Sequence, residues 1–308
     1  MNPTRGIGLK IVSTLVFTMM SVCVKLVAGD IPPGEIVFSR SFFALIPVVS
    51  MLIWQGQLAA SLRTKKPWLH ASRGAVGISS MALSFSALGF LPLPEAMMIG
   101  YAAPLMVVAL SAIILHEIVR VYRWSATAFG FVGIVIILWP RLTFFQGGGF
   151  GGDAMLGATF ALTGAFFSAF ASIFVRSMTK TESTGAIVIY FSGIGSLLAL
   201  LSLPFGWVVP SPANAALLIM IGLLGGTGQI LMTTAYRHAD AATIASFEYV
   251  SMLWGLTFGY LIFGEAPTAS VIVGGGFVVA AGIFIIFRER RLGLERERER
   301  KAARITPV

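Results

Sequence analysis

Residues 34–54 read GEIVFSRSFFALIPVVSMLIW, a run with one Glu and one Arg that follows the breaker-rich Asp30-Ile31-Pro32-Pro33. Helical residues rise ~1.5 Å each, so about twenty apolar ones cross a hydrocarbon core of ~30 Å. The run therefore predicts one membrane-spanning helix. Applied outward, the same criterion predicts spans at 8–28, 34–54, 72–91, 94–115, 123–140, 154–175, 186–208, 215–236, 241–263 and 268–287. The breaks fall where turn chemistry is dense, at Pro92-Leu93-Pro94, Gly147–Gly152 and Pro210-Ser211-Pro212. The first segment is led by Arg5 and Lys10, yet it is longer than a signal-peptide core and is read as part of the fold.

Composition leaves little room for a soluble alternative. Of 308 residues, 56% are hydrophobic and 11% charged, against roughly 25% charged in ordinary soluble domains. Lipid must be the solvent for most of the surface. The net charge of +9 does not point to nucleic acid, which needs a folded basic face. Here Lys and Arg lie in short loops and in a tail, Arg288 to Arg304. The single cysteine, Cys23, excludes an intramolecular disulfide. His70, His116 and His238 have no neighbouring ligands at metal spacing, so no metal is expected. No Walker-type loop is present and no cofactor is expected.

Loop charge predicts that both termini are cytoplasmic, which places 19 of the 22 Lys and Arg on the inner side. Two self-matches predict a duplication. At an offset of 151, Ser21, Val24, Lys25, Gly34, Ile36, Val37 and Ser41 fall on Ser172, Val175, Arg176, Gly185, Ile187, Val188 and Ser192. At an offset of 148, Gly74, Gly77, Ala87, Tyr101, Leu105, Ile114 and Glu117 fall on Gly222, Gly225, Ala235, Tyr249, Leu253, Ile262 and Glu265. Five spans per half put the second half upside down in the bilayer, the inverted architecture of many secondary transporters. The expected organisation is an all-α membrane protein of ten transmembrane helices. It has a first repeat over 8–140, a second over 154–287 and a charged cytoplasmic tail over 288–308.

At Glu35-Ile36-Val37-Phe38-Ser39-Arg40, at Tyr101-Ala102-Ala103-Pro104-Leu105 running to His116-Glu117, and at Phe247-Glu248-Tyr249-Val250 running to Phe263-Gly264-Glu265, the chain resembles the drug/metabolite transporter superfamily, specifically its ten-span EamA-type carriers. The resemblance extends over residues 8–287. It implies two five-helix bundles around a central substrate cavity, with the fifth and tenth spans peripheral. It looks closest to bacterial members that include S-adenosylmethionine uptake carriers. One departure is His116, where Gly commonly precedes the Glu.

Ionisable groups inside spans are expensive and normally face protein or water. Arg40 lies seven residues past Pro33, about 10 Å into its span. It is read as a guanidinium fork for a substrate carboxylate or phosphate, the alternatives being a structural pair with Glu35 or a snorkelling side chain. Glu248 is a candidate for a substrate amine or a proton, the alternative being a packing hydrogen bond to Gln229. Tyr101 and Tyr249, repeat mates, are candidates to line the cavity, with Trp254 beside them. Lys25 with its mate Arg176, and Glu117 with its mate Glu265, are read as gating or structural groups at span ends. The paired glycines are read as sites of close helix approach.

The function expected is a secondary transporter that moves a small polar or amphiphilic metabolite, such as an amino-acid-like compound, by alternating access. A multidrug efflux carrier and, behind it, an integral membrane enzyme are the alternatives. Expected partners are a small-molecule substrate and the lipid bilayer, with protons as a candidate coupling ion, no nucleic acid, and a monomer or homodimer. The expected location is a bacterial inner membrane.

Overall fold

Proline starts the helices. Pro33, Pro67, Pro94 and Pro212 each occupy the first turn of one, where the missing N–H forfeits no intrahelical bond. The structure, a computed structural model, describes residues 3–64, 66–114, 121–141, 152–178, 181–238, 247 and 250–305. The helices are α1 Pro3–Val27, α2 Pro33–Trp54, α3 Leu58–Ser61, α4 Pro67–Phe90, α5 Leu93–Gly100, α6 Ala102–Ile114, α7 Val121–Leu138, α8 Asp153–Met178, α9 Thr184–Leu200, α10 Pro212–His238, α11 Val250–Phe263 and α12 Ala269–Ile305. No strand occurs among the described residues.

Among the described residues, four stretches are both long and apolar enough to cross a membrane on their own: Thr4–Val27, Pro33–Trp54, Asp153–Val175 and Pro212–Met232. Shorter apolar helices occupy Leu93–Val107, Trp124–Leu138, Gly185–Leu200, Val250–Phe263 and Ala269–Phe284. The expected fourth span is broken at Tyr101, where α5 stops and α6 begins. Pro104, three residues on, has no N–H for the Gly100 carbonyl, which accounts for the interruption. The expected boundary at residue 287 marks a change of composition and not the end of a helix, because α12 continues unbroken into the charged tail.

Burial is inverted relative to a soluble protein. Trp54, Phe205, Leu201, Leu261 and Phe287 stand exposed, while Lys10, Ser13, Thr14, Arg40, Ser41 and His70 are buried. An apolar coat around a polar interior fits a lipid-solvated bundle.

The tightest helix pairs are α1 with α10, α4 with α8, α7 with α12, and α2 with α10 and α9. Small residues permit these approaches, since apolar attraction between helices is weak in lipid and close packing must replace it. A Cβ at Gly226 would lie 2.6 Å from Pro47 and 2.8 Å from the Ala44 carbonyl. Gly133 and Gly274 face each other so closely that a Cβ on either would come 2.5 Å from the other's carbonyl oxygen. Beside them, the rings of Phe129 and Phe277 stack at 4.6 Å.

Candidate functional site

Two arginines converge inside the bundle. Arg40, on the second turn of α2, is only 5% exposed. Arg73 lies on the second turn of α4. Both guanidinium groups sit over the ring of Phe191 in α9, Arg40 at 5.5 Å from its centroid and Arg73 at 4.0 Å. Buried Arg40 Nε, Arg73 Nε and Arg73 Nη1 have no hydrogen-bond partner among the described residues.

The structural partner weighed for Arg40 is occupied elsewhere. Glu35 is buried and accepts a hydrogen bond from the Val208 N–H at 3.2 Å. Five helical positions separate Glu35 from Arg40 and turn the two side chains to different faces. A charge at mid-span costs at least ~2.5–3.5 kcal/mol. A cation–π contact returns ~0.5–2 kcal/mol. The ring therefore does not balance the burial of both guanidinium groups.

At one end of the bundle, Lys25 of α1 meets Glu265, which follows α11. Their charged atoms are 2.9 Å apart, with side chains 14% and 19% exposed. Lys25 Nζ also donates to the Leu91 carbonyl at 2.6 Å, and Leu93 N–H donates to Glu265 Oε2 at 2.8 Å. Lys25 further lies 5.3 Å from the centre of the Phe263 ring. Gly264 makes this possible. Its φ of 65° is left-handed, which suits glycine, and it turns the chain so that Glu265 N–H reaches back to the Gly259 carbonyl at 2.9 Å.

A second cluster joins the segment before α4 to the segment before α9. Thr64 donates to Glu182 Oε1 at 2.8 Å, and Tyr190 donates to the Leu62 carbonyl at 2.8 Å. His70 is buried against the Tyr190 ring, with centres 4.5 Å apart. Its Nε2 is 3.7 Å from Glu182 Oε2, too far for a hydrogen bond.

The other residues expected at the site are only partly brought together. Tyr101 is buried, at the α5/α6 break, and its hydroxyl shares a 2.5 Å hydrogen bond with Ser251 of α11. Trp254 Nε1 donates to Thr14 Oγ1 of α1 at 3.3 Å. Gln229 is half-buried on α10, next to Gly228, whose carbonyl accepts from Ser13 Oγ at 3.1 Å. Glu248, Tyr249, Glu117 and the side chain of Arg176 lie outside the described residues.

Sequence reasoning missed Arg73. It stands at the start of the expected third span, where a basic residue beside a loop reads as one of the inner-side charges. Pro67 was the available signal, because a helix that begins there carries Arg73 inside the bundle. Lys10 likewise belongs to the interior, being wholly buried on α1.

Known proteins add the following. The model of the EamA-like transporter family matches residues 4–139 and again residues 155–288. The pseudopaline exporter of Pseudomonas aeruginosa is 30% identical over 280 residues, covering 90% of this chain and 94% of that protein. The S-adenosylmethionine uptake transporter of Rickettsia prowazekii is 25% identical, covering 93% of this chain and 94% of that one. The riboflavin transporter of Rhizobium johnstonii is 31% identical over 249 residues, 79% of this chain and 76% of that one. A solved crystal structure superposes with a TM-score of 0.65 at 18% identity, covering 95% of this chain and 99% of the other.

Proposed function

The chain belongs to the EamA-like transporter family, and from that premise we propose that it is a secondary carrier which moves a small polar, amino-acid-like metabolite by alternating access. It is an integral membrane transporter and not an enzyme. Relatives named for export and for uptake leave both directions open to the scaffold.

The observation that carries the proposal is the buried Arg40, which has no carboxylate partner among the described residues, within an apolar-coated bundle. Such a group is retained at a cost in stability, and transport gives it a purpose. The alternating-access part rests on the two halves being inverted repeats, a reading supported by the double match of the family model and by the tight pairing of helices across the halves.

In this mechanism the Lys25–Glu265 pair closes one end of the pathway. Their repeat mates Arg176 and Glu117 are the candidate gating groups at the opposite end. Both termini are cytoplasmic, in a bacterial inner membrane, so Lys25 and Glu265 face outward. Tyr101, Gln229, Trp254, Glu248 and Tyr249 border the pathway. Glu248 is the candidate to carry a coupled proton. A monomer holds a complete pathway, and a homodimer is compatible with it.

The test is flux through purified protein in proteoliposomes, read as saturable uptake of labelled amino-acid-like metabolites. Saturable flux that counter-substrate accelerates from the far side supports the mechanism. Folded protein that moves none of a broad metabolite panel refutes it.

A further inference from the structure

We infer that Arg40 and Arg73 together form the binding site for an oxyanion, a carboxylate or phosphate, on the transported metabolite. The inference rests on the carrier reading and narrows it to anionic or zwitterionic substrates.

Both guanidinium carbons are referred to one ring, at 5.5 and 4.0 Å, so they stand at most about 10 Å apart on the Phe191 platform. An oxyanion between them can accept from both, since charge-assisted N–H···O bonds span ~2.7–2.9 Å and a guanidinium offers five donors. Three donor nitrogens of the pair, Arg40 Nε, Arg73 Nε and Arg73 Nη1, are buried without a partner among the described residues. Two described carboxylates are engaged by other groups, Glu35 by the Val208 N–H and Glu182 by Thr64.

The site is also shaped for these side chains. A Cβ at Gly77 would overlap Arg73 Nη1 and lie 2.9 Å from the Phe191 ring. A Cβ at Gly225 would lie 3.0 Å from Arg40 Nε. Gly77 and Gly225 are themselves a matched pair at the 148-residue offset, so one glycine in each half opens the slot for one guanidinium. A structural brace would need neither bare donors nor two like charges against one ring.

The experiment compares metabolite pools in cells that express the full chain, Arg40→Gln, Arg73→Gln, the Lys variants at both positions, or no carrier. Purified variants are melted in the same detergent to verify folding. The wild-type chain should shift the intracellular-to-extracellular ratio of compounds that bear a carboxylate or phosphate ester. The chemistry of the shifted compounds distinguishes the two oxyanions. Each Gln variant should abolish the shift, and each Lys variant, which keeps charge but loses the fork, should reduce it at least tenfold.

Removing an unpaired buried charge should also raise the melting temperature of Arg73→Gln, whereas loss of a brace would lower it. Should a Gln variant fail to fold, its Lys counterpart decides the matter. Shifted compounds that lack any oxyanion, or folded Gln variants that shift them as wild type does, overturn the inference and leave the carrier reading standing. A folded wild-type chain that shifts nothing overturns both.

Discussion

Glu265→Gln keeps the size of the side chain while removing its charge from Lys25. At 2.9 Å the gross Coulomb attraction is ~6 kcal/mol at an effective dielectric constant of about 20. Desolvation cancels most of this. Exposed pairs contribute ~0–1 kcal/mol, and breaking a fully buried pair costs ~3–5 kcal/mol. With exposures of 14% and 19%, this pair falls between them, at about 2 kcal/mol. The closed conformer at that end should therefore lose about thirtyfold in population relative to the open one.

Cys23, the single cysteine, provides the readout. It is unoxidised, half-buried and two residues before Lys25. If Lys25 and Glu265 face outward as proposed, a membrane-impermeant maleimide added to intact cells should react with Cys23 faster when that end opens. In Glu265→Gln the labelling rate should rise by about thirtyfold. Lys25→Met should give a similar rise, and the double variant should add little, since both substitutions break one contact. A rate within about twofold of wild type, in protein that melts normally, would refute the gate, as would additive single effects.

Three further outcomes follow from the packing. Gly133→Ala places a methyl group against the Gly274 carbonyl, where a Cβ has only 2.5 Å; it should destabilise the fold by ~1–3 kcal/mol, read as a lower melting temperature in detergent. Ser251→Ala removes one partner of the Tyr101 hydroxyl and should cost ~0.5–1.5 kcal/mol for the hydrogen bond lost, read as a lower melting temperature in detergent. Deleting residues 288–308 removes eight Lys and Arg, so membrane insertion measured by fractionation should fall more than flux per inserted molecule.

Much of the fold was legible because lipid imposes it. The apolar runs at 8–28, 34–54 and 215–236 are close to α1, α2 and α10, and the initiating prolines set where helices start. Loops and breaks inside spans were less legible. Residues 94–115 satisfy a length criterion as one span, and only backbone geometry reveals the break at Tyr101. At the site, Lys25 and Glu265 each stood out through their repeat mates, but no local signal couples residues 240 positions apart. Their contact depends on Gly264 folding the chain back. Arg73 was hidden for a different reason: a basic residue near a span end looks like a topological marker until the helix is seen to begin at Pro67. Arg40 stands out in the sequence as a charge inside a span, whereas the contact of Glu35 with the Val208 N–H shows only in the structure.

The closest helix pairs all join a segment before residue 141 to one after residue 152, and this governs how the protein is made. α1 emerges some two hundred residues before α10, its main neighbour. At ~5–20 residues per second, translation separates them by roughly 10–40 s. For that interval the nascent first half rests in the bilayer with its grooved helix faces bare. The half-synthesised chain, more than any later stage, is therefore where membrane chaperones and quality-control proteases meet this protein.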